Sequence, residues 1–202
     1  KDVDIDEFDI SDNPYKQLIV WNPEEKEIVG GYRYAFCDVV SFEAPGIPHL
    51  ATSELFHFSP HFLENQFKQT IELGRSFVQP LFQPTTQNRK GIFSLDNLWD
   101  GLGALIIDHP NMKYFFGKVT MYSHFNQKAR DMILYFMNRF FPDHDKLVYP
   151  IIPLPIHTPA SEFEALFTGN GFEENHKILF QSVRNLGENI PPLFNSYMSL
   201  SP

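Results

Sequence analysis

Apolar residues recur along this 202-residue chain at two spacings, and the change between them divides it into elements. Short apolar runs bounded by turn residues come first. QLIVWN (17–22) and EIVGGYRYAFCDVV (27–40) read as strands, and NPEEKE between them is a turn that makes a hairpin. A polar loop follows, and 54–68 reads as loop plus short helix. TIELGRSFV (70–78) is a third strand, and the Pro-, Thr- and Gln-rich QPLFQPTTQNRKG is a loop. The period then lengthens. Leu95, Leu98, Trp99, Leu102, Leu105 and Ile106 fall at helical spacing, with Ser94 as the expected N-cap and Pro110 as the stop. KYFFGKVTMYS (113–123) is a fourth strand. A helix over about 126–140 turns Ile133, Phe136, Met137 and Phe140 inward and ends before Pro142.

The prolines of YPIIPLPIHTP keep that segment extended. A short helix at 160–167 follows, with Thr158 and Pro159 as its cap and first-turn pair. Another runs over about 174–186 to Gly187, and NIPPLFNSYMSL (189–200) begins a final strand. The order predicts a mixed α/β class, with 1–202 as one domain, an acidic segment at 1–16 and a C-terminal extension over 143–202. A start without Met and an end at Leu-Ser-Pro predict a piece of a longer protein.

Composition adds four constraints. The 21 Phe predict an aromatic core, with Trp21 and Trp99 in it as well. No run reaches the roughly 18 apolar residues of a membrane span. The single Cys37 excludes an internal disulfide and suits a reducing compartment; it reads as a small core residue rather than a nucleophile. The net charge of −9 argues against nucleic acid as a partner. Charge is uneven, however. Between 68 and 130, Lys68, Arg75, Arg89, Lys90, Lys113, Lys118, Lys128 and Arg130 face only Glu72, Asp96, Asp100 and Asp108. That basic stretch suits an anionic ligand or an acidic partner.

The candidate chemistry centres on ELGRS (72–76). Strand alternation puts Glu72 and Arg75 on opposite faces. They form either a structural ion pair between sheet and helix or a functional pair brought to one face by a bulge at or beside Gly74. A bulge also releases backbone N–H groups, and a carboxylate beside free amides is what acyl transfer to an amine needs: a base for the amine proton and donors for the oxyanion. Arg89, Lys90 and Gly91, just before the Ser94 helix start, form either a solvated basic loop or a phosphate site. No metal site is expected, since Pro60 separates His57 from His61. Ser76 and Ser123 lack the nucleophile-elbow context of a serine hydrolase.

With these residues placed, the chain resembles the GNAT superfamily, in particular its acyl-carrier-protein-dependent N-acyltransferases, which make ornithine and glycine lipids and often carry the label hemolysin. LIVWNPEEKEIVGGYRY (18–34), TIELGRSFVQP, LWDGLGALI with YFFGKVTMYS, and NIPPLFNSYMSL carry the resemblance. More distantly, Glu72, Arg75 and Arg33 resemble residues of the acyl-homoserine-lactone synthases. The resemblance implies a mostly antiparallel sheet flanked by helices, in which the 70–78 strand splays from the 113–123 strand to receive a phosphopantetheine arm.

It further implies Glu72 as base, directly or through water, with Arg75 and Arg33 organising the site. Amides near Phe77 and Val78 would hold the thioester carbonyl, and Arg89, Lys90, Gly91 and Ser94 the phosphate. No permanently bound cofactor is implied; acyl-phosphopantetheine on acyl carrier protein, or acyl-CoA, is the co-substrate. The expected partners are acyl carrier protein and an amino acid, at a cytoplasmic location with peripheral association at the inner membrane. The tyrosine that protonates the thiolate in common GNAT enzymes has no counterpart here: position 133 is Ile, Tyr135 lies elsewhere on the helix, and Tyr122 is a weak substitute. The rivals are an acetyl-CoA-dependent N-acetyltransferase and a non-catalytic lipid-binding or hemolysin-like protein.

Overall fold

The computed structural model describes Phe8, residues 14–83 and residues 93–200. In chain order the elements are β1 (Tyr15–Asn22), β2 (Glu27–Phe36), β3 (Phe42–Ala44), β4 (Ile47–Pro48), β5 (Phe56–Phe58), α1 (Pro60–Asn65), β6 (Thr70–Val78), α2 (Ser94–Asp108), β7 (Tyr114–Gly117), α3 (Gln127–Phe140), β8 (Val148–Pro150), α4 (Ala160–Leu166), α5 (Gly171–Asn185) and α6 (Pro192–Leu200). The class is mixed α/β, as expected. The chain forms two compact units, Lys1–Lys118 with Leu147–Ile151, and Val119–Lys146 with Ile152–Pro202.

The first unit is built on a four-stranded sheet in the order β1-β2-β6-β7, antiparallel except for the β6–β7 pair. Its register aligns Tyr15, Ala35, Glu72 and Phe116 in one row across the four strands. The next row on the same face is Gln17, Arg33 and Gly74. Residues directly opposite share a face, so Tyr15, Gln17, Arg33 and Glu72 lie on one face of the sheet. On that face Ala35 packs into a cluster with Cys37, Val40, Leu50, Phe58, Phe62 and Phe67, which the segment between β2 and β6 supplies. Helix α2 covers the other face, where Gly101 approaches Leu18 and Leu98 and Leu102 are buried.

The second unit is helical. Ile133, Phe136, Phe163, Phe167, Leu179 and Val183 are its buried centre. Asn126 caps α3 by accepting from the Ala129 amide at 3.1 Å, and Gly187, at φ 80°, ends α5 in the left-handed conformation that glycine adopts without penalty. Asp131 is buried on α3; its Oδ2 accepts from the amides of His157 (2.8 Å) and Thr158 (2.9 Å) and its Oδ1 from Arg130 Nη2 (2.9 Å).

Several expected elements differ. The segment expected as a final strand is helix α6 over Pro192–Leu200; Pro192 opens its first turn, where a missing N–H costs nothing. The fourth strand is only Tyr114–Gly117. Ser94 is not an N-cap: Phe93 occupies that position and makes no side-chain cap, while the Ser94 hydroxyl donates to the Phe82 carbonyl at 3.1 Å. Thr158 does not cap α4 either, since Pro159 is the N-cap residue and the Thr158 hydroxyl is spent on Asp131. Trp21 is 50% exposed on the edge strand β1 and does not belong to the core.

Candidate active site

Glu72 lies in the middle of β6 with 1% of its surface exposed. An isolated carboxylate in such a place is costly unless hydrogen-bonded, and this one is held on both oxygens. Oε1 accepts from the Thr52 amide at 3.1 Å and from the Thr52 hydroxyl at 2.6 Å. Oε2 accepts from the Tyr15 hydroxyl, which in turn accepts from the Ala51 amide at 2.8 Å. The register explains the reach: Ala35 stands between Tyr15 and Glu72 in the row, and its methyl leaves the phenol room to cross. Thr52 comes from the turn after Leu50, whose buried side chain anchors it in the cluster below the sheet.

Burial pushes the Glu72 carboxyl above its ordinary value; the bonds from Thr52 and Tyr15 and the charge of Arg33 pull the other way without cancelling it. Arg33, 3% exposed, is diagonal to Glu72 on the sheet and lies with its guanidinium carbon 4.7 Å from the centre of the Tyr15 ring and 5.9 Å from that of Phe8. Burial and the neighbouring carboxylate raise the Tyr15 phenol well above its ordinary range. Cys37 is a buried core thiol, as expected, pushed up to about 12 by burial and by Glu72.

The distortion expected beside Gly74 is present. Gly31 pairs with Phe77 and Arg33 with Gly74, so β6 has one more residue than β2 over this interval. Arg75 takes φ 47° there, a left-handed value uncommon outside glycine. By register Arg75 and Ser76 together stand opposite Tyr32, while Glu72, Gly74 and Phe77 keep one face. The structural ion pair between Glu72 and Arg75 is not formed: the groups on the carboxylate are Thr52 and Tyr15, and the acting cation is Arg33.

On its other edge, β6 pairs with β7 only from Thr70 to Leu73. Among the described residues no strand continues that ladder along Gly74–Val78, because β7 ends at Gly117.

Residues 1–89 match the acetyltransferase (GNAT) domain family. The chain is 56% identical over 202 residues to a glycine N(alpha)-acyltransferase of Phocaeicola vulgatus, an alignment covering 100% of this chain and 62% of that protein. It is likewise 56% identical over 200 residues to a glycine N(alpha)-acyltransferase of Bacteroides thetaiotaomicron, covering 99% of this chain and 59% of that one. The chain therefore spans less than two thirds of the length of these curated relatives. No solved structure matches it.

Of the residues singled out from sequence, Glu72, Arg33 and the bulge at Arg75 come together on the sheet. Phe77 (44% exposed) and Val78 lie on the half of β6 that pairs with β2 but not with β7, five and six residues beyond Glu72, on the order of 15 Å along the strand. Arg89, Lys90 and Gly91 lie outside the described residues. Ser94 is buried and committed to Phe82. In the helical unit, Tyr135 packs against Phe163 and Phe167, and Tyr122 is 71% exposed and stacked on His124.

Sequence reasoning missed Tyr15, Thr52 and the Ala51 amide. Nothing local marks them; they reach Glu72 across 57 and 20 residues of chain. A buried glutamate on a strand implies donors somewhere, and that is the only signal the sequence offers.

Proposed function

We propose that this chain carries the acyl-transfer site of a glycine N-acyltransferase, moving a long fatty acyl group from a phosphopantetheine thioester to the amine of glycine. The observation that carries this reading is Glu72: a buried carboxylate with a raised pKa, held by Thr52 and Tyr15, beside the point where β6 bulges and its pairing with β7 ends. The matched relatives supply the acceptor, since both are named for acylating glycine.

In the proposed reaction the amine nitrogen attacks the thioester carbonyl, and its proton passes to Glu72, directly or through the Tyr15 hydroxyl. Negative charge on the carbonyl oxygen is assigned to backbone amides near Phe77 and Val78, on the edge of β6 that β7 does not pair. The C–S bond then breaks, and the thiolate leaves and is protonated. Arg33 and Arg75 organise the site, one by its charge and the other by the left-handed turn it gives the strand. The unpaired edge of Gly74–Val78 receives the amide-bearing arm of the donor as an added strand would be received, with Phe77 and Val78 along that arm. The phosphate is assigned to the Arg89–Gly91 loop. Acyl carrier protein is the proposed donor and partner, matched to the basic stretch of the chain, with the acidic carrier docking at the inner face of the membrane.

A second reading, acetyl transfer from acetyl-CoA, is favoured by the name of the matched domain family. One experiment separates the two. The full-length protein is offered glycine with long-chain acyl carrier protein, long-chain acyl-CoA or acetyl-CoA, and the amide product is followed by mass spectrometry. Long-chain N-acylglycine formed fastest from the carrier protein supports the proposal; acetylglycine as the main product sinks it. A Glu72→Gln variant is expected to lose about 10²–10⁴-fold in turnover, the range a positioned general base supplies. Full activity in that variant removes Glu72 from the reaction.

A further inference from the structure

The longest uncharged run in the chain is residues 147–161, LVYPIIPLPIHTPAS. Its middle, residues 152–156, reads Ile-Pro-Leu-Pro-Ile, belongs to the helical unit and forms neither helix nor strand. Ile152 is 83% exposed, Leu154 62% and Ile156 41%, and the prolines between them are exposed as well. Single exposed apolar residues are ordinary on a protein surface, but a contiguous row of them marks a contact surface.

The row is also held in place. The Pro155 carbonyl accepts from Arg130 Nη2 at 3.0 Å. Immediately after it, the amides of His157 and Thr158 donate to Asp131 Oδ2 at 2.8 and 2.9 Å. A carboxylate is buried only where its partners satisfy it, and most of the partners of Asp131 are the end of this run. What they fix in space is three aliphatic side chains facing solvent. Little conformational freedom is then lost when something covers them.

Three features select what covers them. The side chains are aliphatic throughout, whereas the centres of protein interfaces favour Trp, Tyr and Arg. The backbone is poor in donors, since Pro153 and Pro155 have no N–H. Unsatisfied N–H groups are heavily penalised in hydrocarbon, and a protein that takes up an extended segment as an added strand depends on them. No charge lies within the run to be drawn out of water.

We infer that residues 152–156 form a lipid-insertion strap, on which the protein rests on a bilayer with Ile152, Leu154 and Ile156 in the acyl boundary. The attraction is hydrophobic, in keeping with a chain whose net charge of −9 anionic lipid repels. The surface is read from the strap alone. That it holds the protein where a long-chain N-acylglycine is delivered rests on the acyl-transfer reading, and binding is measured without turnover, so either can fail alone.

The test is flotation of the full-length protein with vesicles of phosphatidylethanolamine and phosphatidylglycerol, beside the double variant Ile152→Ser, Leu154→Ser. The parent should float with the vesicles. Raising salt from about 0.1 to 0.5 M should change its partition less than about twofold, since no charge enters the lipid. The double variant should partition at least about tenfold less, having lost two aliphatic chains, with an unfolding temperature like the parent's because both positions are exposed. A second measurement is independent of that variant. Cys37 is buried, so Leu154→Cys directs an environment-sensitive fluorophore to position 154, and vesicles should shift its emission to the blue. A full-length protein that stays in solution overturns the inference, as does a double variant that floats like the parent, or binding that salt abolishes. Emission that shifts with acyl carrier protein and not with vesicles assigns the strap to a protein partner and overturns it equally.

Discussion

Thr52 donates two hydrogen bonds to one oxygen of Glu72, and both stabilise the ionised form. Burial works against that form and prevails. In the proposed reaction Glu72 is the base, and a base must be ionised to accept a proton, so activity is expected to rise with pH through the pKa of Glu72. Removing the Thr52 hydroxyl takes away stabilisation of the carboxylate and moves that rise upward. Thr52→Val is therefore expected to shift the acid limb of the kcat/KM profile up by about one pH unit, the equivalent of a hydrogen bond worth about 1.4 kcal/mol. Thr52→Ser should restore the limb, because it keeps the hydroxyl. Tyr15→Phe shifts the limb in the same direction, since that hydroxyl also donates to the carboxylate. A full pH–rate profile for each variant decides the matter, and an unmoved limb in Thr52→Val rules out Glu72 as the titrating base. At this scale the sequence named the acceptor of these bonds and not the donors. Glu72 is conspicuous because a charge interrupts an apolar strand, whereas Thr52 and Tyr15 are ordinary residues in a turn and on an edge strand. Their importance arises only when the sheet register and the loop bring them to Glu72.

The elements show which local rules hold and which give way. A glycine and two charges in one strand predicted a bulge, and the register shift between Gly31 and Arg33 supplies it. The residue that takes the left-handed turn is Arg75 and not the glycine before it, a distinction no spacing argument could reach. The paired glycines of β2 are legible only in part. Their sequence marks a weak point in a strand, but the cause is the close approach of β1 and β6 on either side. Gly31→Ala is accordingly expected to destabilise the protein by about 1–3 kcal/mol, the usual cost of forcing an extra group into packed backbone. The Leu18 carbonyl it meets belongs to the ladder and cannot turn aside. Denaturant unfolding of Gly31→Ala beside Gly74→Ala, whose added Cβ meets no described residue within 4 Å, measures the contrast: a midpoint lower in the first and not in the second. Equal loss in both would mean that the open volume over Gly74 does not distinguish them. The misread helix α6 has a similar origin. Its prolines fit an extended run or a first helical turn equally well, and burial of Met198 and Ile190 in the helical core is what selects the helix.

At the scale of the whole molecule, the chain divides into a sheet-based unit that carries the candidate site and a helical unit with its own aromatic core. The abundance of Phe announced a large aromatic interior but not its division in two, because composition has no spatial content. Within the helical unit, Asp131 ties α3 to the segment at His157 and Thr158, and its side chain is fully buried. Burial raises the pKa of this carboxyl, but the bonds from Arg130, Thr158 and His157 outweigh burial and hold it below the ordinary carboxylate value. A carboxyl whose folded pKa lies below its unfolded one stabilises the protein above the unfolded value of about 4. It loses that contribution as pH falls through the folded value. Asp131→Asn keeps the shape, cannot ionise, and replaces an acceptor oxygen by a donor facing donors. It is expected to lower stability at pH 7 by about 1–3 kcal/mol, the cost of leaving buried partners unsatisfied. The difference from the parent should shrink on acidification below about pH 4, as the parent's carboxyl is protonated first in the unfolded chain and, at lower pH, in the folded one. Urea unfolding followed by far-UV circular dichroism at neutral and acid pH measures both, and a gap that stays constant with pH would show that the charge of Asp131 is not what holds this segment.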